Sequence, residues 1–484
     1  MHDTWSPFTE ATRPGGGVEP LPYWVYRVVI EIHPSLGSRR LILGKAAASA
    51  LKLTVDRVRV FAGTSSLIMT VDHCDSASPN SLAMDSGSAA RFGLQTGDVV
   101  RVLARRRQLR IGPYVGIMTA PTRFRASSNR CYGRDTEYFR ELCLAGRRKG
   151  LVTYVFSYDA VDLSKGRLVG RVPEPKRNGR WYSREFPLPN VIFNRIPART
   201  HERSPLARQL IEYALRQESM CLFNEGFMDK WSVYKQLSMH PEVRHLVPTT
   251  AVFRGLPMLK RWLRKYKSVY LKPTSGSLGE GIIVVQQTSR GVVCRYRNPR
   301  KRPVKEHAPH VDAIYGLIEQ LVANRRYLIQ PDLNLLTVNG MPFDVRLLMQ
   351  RNATGKWCRT KMFARVARRG EFTSNISRGG SGVPLDRLLE QVIPKKAEHV
   401  LDAVREAGAA VARAIESLAG SPVGELGIDI GIDRSLNLWL IEVNSKPHID
   451  VTKPSTSERV HQASVRRPME FAIYLHIKGR LGDR

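Results

Sequence analysis

The chain has 484 residues, of which 42% are hydrophobic and 25% are charged, a composition typical of a globular protein with about two to four domains. It contains no run close to the roughly 20 apolar residues of a membrane-spanning helix, so we expect no membrane partner. The six cysteines form no CxxC pair, which argues against a zinc ribbon and favours free thiols in a reducing cytoplasm.

The formal net charge is +33, which predicts attraction to polyanions such as nucleic acid, an anionic polymer or an acidic peptide. A genome rich in arginine codons gives much the same composition. The chain has no known nucleic-acid reader motif, so the sequence does not favour nucleic-acid binding as the main role.

The pattern of apolar runs and turn residues divides the chain into four segments. Residues 1–20 lack the apolar core of a secretory signal, and we expect a loose tail there. Residues 21–110 predict a β-rich domain of short strands. Residues 111–223 alternate strands with helices, as a small α/β domain does, and residues 224–484 form the last folded segment.

Three helices after residue 200 have clear signals. Ser204 and Pro205 suit the N-cap and first position of one helix, whose predicted apolar face consists of Leu206, Leu210, Ile211 and Ala214. Asp229 caps a second helix. Apolar residues at helical spacing predict a third helix over residues 397–418.

A glycine-rich loop follows a short apolar strand that ends at Lys272. Its glycines are Gly276, Gly279 and Gly281. Because glycine allows positive φ and has no Cβ, such a loop can turn its N–H groups onto phosphate oxygens. The lysine precedes the glycines, so this is not a Walker A loop, and a glycine-rich structural turn is the alternative.

Oxygen-bearing side chains end an otherwise apolar strand near residue 440. Glu442 and Asn444 are two residues apart and therefore share one face of a strand, and Asp429 lies on a separate strand upstream. Carboxylate and amide oxygens suit Mg²⁺ bound together with ATP phosphates. The alternative is a polar strand edge facing water.

Three further blocks lie between the glycine loop and these oxygen ligands. Residues 327–333 read as an apolar strand that breaks at Pro331, a hinge that could border an adenine ring. Asp344 and Arg346 share a strand face, as either a phosphate grip or a local ion pair. The run over residues 363–380 would suit a carboxylate or acyl phosphate, or is simply a polar loop; its candidate residues are Arg365, Asn375, Arg378, Gly379 and Gly380.

A dense basic run covers residues 295–305 and contains two prolines. Charge runs are usually solvated, so an exposed loop between strands is one interpretation. The other is a guide for an anionic substrate.

Taken in this order, the blocks resemble the ATP-grasp superfamily, and within it the endospore-coat-associated YheC/YheD family. The resemblance covers most of the chain, including the amino-terminal region. The matching segments are Ile111-Gly-Pro-Tyr-Val-Gly-Ile117, Asn194-Arg-Ile-Pro197, Asp229-Lys-Trp231, Leu271-Lys-Pro-Thr-Ser-Gly-Ser-Leu-Gly-Glu-Gly-Ile282, Pro342-Phe-Asp-Val-Arg346, Thr373-Ser-Asn-Ile-Ser-Arg-Gly-Gly380 and Trp439-Leu-Ile-Glu-Val-Asn-Ser-Lys-Pro447. It implies a mixed α/β (α+β) ATP-grasp fold over residues 224–484, preceded by the small α/β domain and the β-rich domain.

The resemblance also implies roles for individual residues. Lys272 would contact ATP phosphates under a lid formed by Gly276, Ser277, Gly279 and Gly281. Gln330, Asp332 and Leu333 would line the adenine, and Asp344 would reach the nucleotide. Mg²⁺ would be held by Asp429, Glu442 and Asn444, and substrate by Asn375, Gly379 and Gly380. Thr373 and Pro331 depart from glutamate-ligase relatives, which have arginine and glutamate at those positions.

The activity implied is an ATP- and Mg²⁺-dependent carboxylate–amine or carboxylate–thiol ligase that works through an acyl phosphate, which Arg346, Arg365 and Arg378 would stabilise. Two alternatives use the same clamp: a phosphotransferase acting on a hydroxyl, and a structural or spore-associated protein that binds ATP without turnover. We expect a cytoplasmic protein, with spore association following from the resemblance.

Overall fold

A computed structural model describes the chain over most of its length. The described ranges are residues 24–73, 78–122, 130–175, 179–275, 280–300, 302–323, 325–368, 381–449 and 457–481. They divide into two compact units, one within residues 24–112 except for 63–65, and one made of 63–65 together with the chain from residue 113 onward. The predicted tail over residues 1–20 lies outside the described residues.

The first unit is a closed seven-stranded barrel with strand order β1-β5-β2-β4-β3-β7-β6. Its strands are β1 (Trp24–Ile32), β2 (Arg40–Leu43), β3 (Arg57–Ala62), β4 (Ser65–His73), β5 (Ser81–Met84), β6 (Val99–Arg105) and β7 (Gln108–Ile111). Alternate residues such as Val28, Ile30, Val58 and Val60 are buried, which is the period of two expected for strands. The β-rich character predicted for this segment is confirmed.

Two short helices in this unit were not predicted: α1 (Lys45–Leu51) and α2 (Ser86–Phe92). Asp85 caps α2 by accepting a hydrogen bond from Ser88 N at 3.0 Å, and Gly93 ends it in the left-handed conformation. Each helix has only seven residues, too few to show a helical period clearly.

The second unit begins with a seven-stranded sheet. Six of its strands follow the order β10-β11-β9-β8-β13-β14, and the seventh, β12, pairs with β11. Its elements are β8 (Tyr114–Thr119), α3 (Thr136–Arg148), β9 (Val152–Ser157), β10 (Val161–Asp162), β11 (Arg167–Pro173), β12 (Trp181–Pro187), β13 (Val191–Asn194), α4 (Arg199–Glu202), α5 (Pro205–Arg216) and β14 (Cys221–Phe223). Strands β9, β8, β13 and β14 run parallel. Ser204 caps α5 as predicted, but Leu206 is 53% exposed, so its assignment to the apolar face was wrong.

A second sheet follows, six-stranded, with the order β15-β20-β16-β17-β18-β19. Its elements, with the helix that precedes it, are α6 (Lys230–Leu237), β15 (Ala251–Val252), α7 (Leu256–Tyr266), β16 (Ser268–Pro273), β17 (Ile283–Thr288), β18 (Gly291–Arg297), β19 (Pro303–Ala308), α8 (Val311–Val322) and β20 (Tyr327–Pro331). Helices α7 and α8 pack on one face through a core that includes Leu259, Leu263 and Ile318. We call this the clamp sheet.

The third sheet has the order β24-β23-β22-β25-β26, with β21 paired to β22. Its elements are β21 (Thr337–Val338), β22 (Met341–Arg351), β23 (Trp357–Val366), β24 (Ser381–Val383), α9 (Leu385–Val392), α10 (Ala397–Leu418), β25 (Glu425–Ile432) and β26 (Leu438–Asn444). Residues of α6, α9 and α10 form the core on one face. The helix predicted over residues 397–418 is confirmed at both ends.

A last helix, α11 (Glu458–Leu481), was not predicted. It contains Pro468, and its Val465, Met469 and Phe471 enter the core beneath the first sheet, beside Tyr138 and Leu142 of α3. The end of the chain thus supports the small α/β segment, although residues 111–223 and 224–484 as separate domains stay a prediction.

Among the described helices, none has the length and apolar character needed to cross a bilayer. Five of the six cysteines lie in described parts of the chain, and all five are free thiols.

Candidate functional site

Six charged or amide side chains predicted from the sequence lie on one face of the third sheet. The opposite face is apolar, because Val345, Leu347 and Ile428 enter the core with α10. Asp429 on β25 stands directly between Arg346 on β22 and Glu442 on β26. The six residues of this polar face are Asp344, Arg346, Arg365, Asp429, Glu442 and Asn444.

Arg365 joins two carboxylates of this face. Its Nε and Nη2 donate to Asp344 Oδ1 and Oδ2 at 2.7 and 2.5 Å, and Nη2 also lies 2.7 Å from Asp429 Oδ2. Burial opposes the charged guanidinium, but Asp429 and Asp344 outweigh it and raise the pKa of Arg365 above its ordinary value. Arg365 therefore positions both carboxylates.

Both oxygens of Asp429 face arginines. Arg346 Nη1 lies 2.7 Å from Asp429 Oδ1, an ion pair whose geometry falls short of a hydrogen bond. Glu442 Oε2 lies 3.4 Å from Lys230 Nζ, and Asn444 Oδ1 accepts from Lys446 N at 3.0 Å.

These oxygens form a donor set that fits Mg²⁺. All the donors are hard, and Mg²⁺ in such sites takes few protein ligands because ATP phosphates complete its coordination. In the described ranges, no three His, Cys, Asp or Glu side chains form a metal-binding cluster. The set therefore relies on two carboxylates and the Asn444 amide, and the metal role of each residue stays a prediction.

Lys272 lies on the face of the clamp sheet that is turned away from α7 and α8. Its neighbours Leu271 and Val269 point into the helical core, so alternation places Lys272 and Tyr270 on the other face. Burial, and next the Lys230 ammonium, lowers the pKa of Lys272 to about 8, against the opposing effect of Glu442 and of Asp332 and Asp344. The two sheets are neighbours, because Leu335, four residues after β20, forms a bridge with Asp433 directly after β25.

The hinge predicted over residues 327–333 is strand β20 and the turn after it. Gln330 is buried, and its Nε2 donates to Thr250 Oγ1 at 2.8 Å. Its buried Oε1 has no hydrogen-bond partner in the described structure. Asp332 instead accepts from Ser268 Oγ at 2.9 Å and from Asn334 N at 3.2 Å. Asp332 thus stabilises the turn, and Leu333 beside it is half-buried.

Gly281 requires the glycine conformation, as predicted for this loop. Its φ is +73°, and a Cβ there would lie 2.9 Å from both Arg325 Nη2 and Tyr327 Oη. Tyr327 Oη donates to Gly281 O at 2.9 Å, which fixes the end of the loop against β20.

Several predicted residues lie outside the described residues. They are the lid residues Gly276, Ser277 and Gly279, and the substrate-side residues Asn375, Arg378, Gly379 and Gly380. Their roles stay predictions.

Sequence reasoning missed two residues of this region. Lys230 follows the helix cap Asp229 and places a second ammonium group beside Glu442. Tyr234, one turn later, donates its hydroxyl to Ile441 O; burial raises its pKa, and Glu442 adds to the effect. The local signals were the cap that starts α6 and the matching segment Asp229-Lys-Trp231, but nothing near Lys230 in sequence indicates that it faces Glu442.

The chain after β26 is anchored by the motif Asn194-Arg-Ile-Pro197. Arg195 Nη1 lies 2.6 Å from Glu425 Oε1, and its Nη2 donates to Pro447 O at 3.0 Å. Lys446 pairs with Glu202, and burial lowers the pKa of Lys446 to about 8 against the attraction of that carboxylate. The motif holds the end of the strand that carries Glu442 and Asn444.

A sheet face of carboxylates and arginines, next to a second sheet that carries Lys272, is the arrangement expected of an ATP-grasp protein. Residues 219–475 match the family model described as YheC/D like ATP-grasp. The chain belongs to this family, and the fold class predicted from the sequence is confirmed. Since ATP-grasp enzymes are typically ATP-dependent ligases, membership supports that class of activity.

Two curated relatives come from Bacillus subtilis (strain 168). Endospore coat-associated protein YheD is 26% identical over 377 residues, which cover 78% of this chain and 82% of YheD. Endospore coat-associated protein YheC is 24% identical over 290 residues, 59% of this chain and 79% of YheC. Among solved structures, D-cycloserine synthetase DcsG shares 14% identity with a TM-score of 0.44, over 74% of this chain and 99% of that one.

Proposed function

We propose that this protein is an ATP- and Mg²⁺-dependent ligase that joins a carboxylate to an amine through an acyl phosphate. One observation carries the proposal: the polar face brings Arg346 Nη1 within 2.7 Å of Asp429 Oδ1, and Lys230 Nζ within 3.4 Å of Oε2 of the neighbouring Glu442. Cations for phosphate and oxygens for a metal thus meet at one place, as phosphoryl transfer requires.

In the proposed site, Lys272 and Lys230 bind the phosphates, and Gln330 presents its unpaired Oε1 to the adenine edge. Asp429, Glu442 and Asn444 would hold Mg²⁺, which when bound neutralises charge on the transferring phosphoryl group. Asp344, held by Arg365, orients toward the nucleotide. Arg346, whose side chain is 23% exposed, is better placed than Arg365 to contact the acyl phosphate.

The reaction needs no protein nucleophile. A carboxylate oxygen of the substrate attacks the γ-phosphorus of ATP and releases ADP, and the amine then attacks the acyl carbon and displaces phosphate. A thiol would replace the amine in a thioester-forming variant. The arginine and lysine charges stabilise the negative charge that spreads over the phosphoryl oxygens in the transition state.

The names of the two curated relatives associate them with the endospore coat. We extend that association to this protein as part of the proposal, with a cytoplasmic site of action.

The first test measures ADP release by the purified chain with Mg²⁺-ATP and pools of candidate acids and amines. A ligase releases ADP in a manner that depends on both pools. ADP formed with an alcohol alone would indicate a phosphotransferase instead. ATP binding without any turnover would indicate a protein that binds the nucleotide silently.

A variant tests the assignment of Glu442 on β26 as a metal ligand. Glu442→Gln removes one carboxylate charge and should lower turnover by at least about 100-fold, because the phosphoryl group loses its charge neutralisation. Glu398→Gln, on the exposed first turn of α10, is the matched control and should retain full turnover. Full activity of Glu442→Gln would refute this metal site.

A further inference from the structure

The hairpin β18–β19 concentrates positive charge that the proposed reaction does not use. From Gly291 to Ala308 the sequence has six lysines or arginines and one acidic residue, Glu306. The sequence left open whether this run is a solvated loop or a guide for an anion. The structure places three of the six, Arg295, Arg297 and Lys305, in two paired strands, and the strand register decides which way these charges face.

The basic side chains share one face of the clamp sheet. Cys294 points into the core with α7 and α8, and it pairs with Glu306, so Glu306 lies on that helical side. The alternate positions face the other way; they are Arg295, Arg297, Lys305 and His307, which we call the basic hairpin face.

This face continues the surface that carries Lys272. The register aligns Gln330, Tyr270, Val284, Arg295 and Lys305 in one row across five strands. With neighbouring strands about 4.8 Å apart, Lys305 lies roughly 14 Å from Tyr270 along the row. Arg295 Nη2 donates to Gln286 Oε1 at 2.9 Å, which holds its guanidinium over the sheet.

The outer strand of the hairpin is open to an extended chain. In the described part of the sheet, β19 pairs with β18 alone and forms one edge. Lys305 and His307 are exposed. An edge strand offers unpaired N–H and C=O groups, which an added peptide strand can bond, and every second side chain of that peptide would then face the same side as Lys305.

The chemistry favours an acidic polypeptide over a nucleic acid. Single-stranded nucleic acids need exposed aromatic rings on which bases stack. Tyr296 packs against the helical core. Tyr270, the aromatic ring nearest Arg295 along the row, is only partly exposed, and Lys272 Nζ lies 5.7 Å from the centroid of its ring. Carboxylates, by contrast, match arginine and lysine directly.

We infer that the basic hairpin face binds an extended acidic polypeptide along β19, on the same side of the clamp sheet as Lys272. That this polypeptide carries the carboxylate to be activated rests on the proposed function. The binding itself follows from the placement of Arg295, Arg297, Lys305 and His307.

The test measures binding of fluorescent poly-L-glutamate to the full chain, without ATP, by anisotropy at several salt concentrations. The variant K305E/R302E reverses Lys305 of the basic hairpin face and the exposed Arg302 directly before β19, and it should weaken binding by at least about tenfold, since like charges then face the polymer. The control variant R261E/R264E makes the same charge change on the exposed face of α7, behind the sheet, and should change affinity by less than about threefold.

Equal loss in both variants, or loss in neither, would overturn the inference, because binding would then reflect net charge alone. Oligothymidylate of matched charge is the second probe; tighter binding of this probe, lost in K305E/R302E, would also overturn it in favour of a nucleic acid. If poly-L-glutamate binds as expected but no acid–amine pair releases ADP, the docking surface is supported and the proposed ligase function is refuted.

Discussion

At the scale of single residues, the surroundings of Lys272 lower its pKa into a range where its charge depends on pH. A buried ammonium costs free energy, and Lys230 adds repulsion, so the pKa of Lys272 lies near 8 in the free protein. The phosphates of ATP would favour the ammonium form. Nucleotide binding and proton binding at Lys272 are therefore linked.

The linkage predicts proton uptake. Above about pH 8 the free protein holds a neutral Lys272, and bound phosphates raise its pKa, so binding near pH 9 should take up close to one proton per nucleotide. Well below the free-protein pKa of about 8 the lysine is already charged before the nucleotide binds, so uptake should vanish near pH 6.5. Calorimetry in buffers of different ionisation enthalpy measures this number.

Lys272→Arg provides the control for this measurement. Arginine stays charged throughout this pH range, so the variant should bind nucleotide without taking up a proton at position 272. Undiminished uptake in the variant would show that another group supplies the proton site.

At the scale of elements, the strands of the polar face depend on a buried ion pair that lies beyond them. Glu425 begins β25 and is fully buried, with Arg195 and Gln350 Nε2 as its partners. Because Arg195 also binds Pro447 O, one guanidinium links β25 to the chain that leaves β26. The positions of Asp429 and Glu442 follow from these two anchors.

Removing one partner of this pair should be costly. Arg195→Met leaves Glu425 buried without its counter-charge, and we expect a loss of about 3–5 kcal/mol in the free energy of unfolding. The double variant R195M/E425Q should recover part of the loss, because the amide carries no charge. Denaturant midpoints measure both. Equal stability of the two variants would show that the uncompensated charge of Glu425 does not cause the loss in the free energy of unfolding.

At the scale of the whole molecule, the net charge of +33 acts against compactness through self-repulsion. Salt screens this repulsion, so raising NaCl from about 50 to 500 mM should increase the thermal midpoint by roughly 2–4 °C. The increase should shrink near the isoelectric point, where the repulsion is small. A midpoint that falls with salt near neutral pH would show that favourable ion pairs outweigh the repulsion.

The sequence alone determined which residue types stand at the site and which share a strand face. Alternation placed Glu442 with Asn444, and Asp344 with Arg346, because the side-chain period of a strand is local. Helical spacing located α10, and Gly281 marked a position of positive φ. These predictions depend on neighbours only a few residues apart.

Only the tertiary structure decided which of these residues meet. Asp429 lies opposite Glu442 in a register that shifts just after Asp429, and no local pattern shows such a shift. Lys230 and Arg195 reach the site from segments more than 200 residues from their partners. Strand register and sheet facing arise from packing over the whole domain. The fold therefore determines which charges meet between the two sheets. It also determines the lowered pKa of Lys272 and the side of the sheet to which the basic hairpin face is turned.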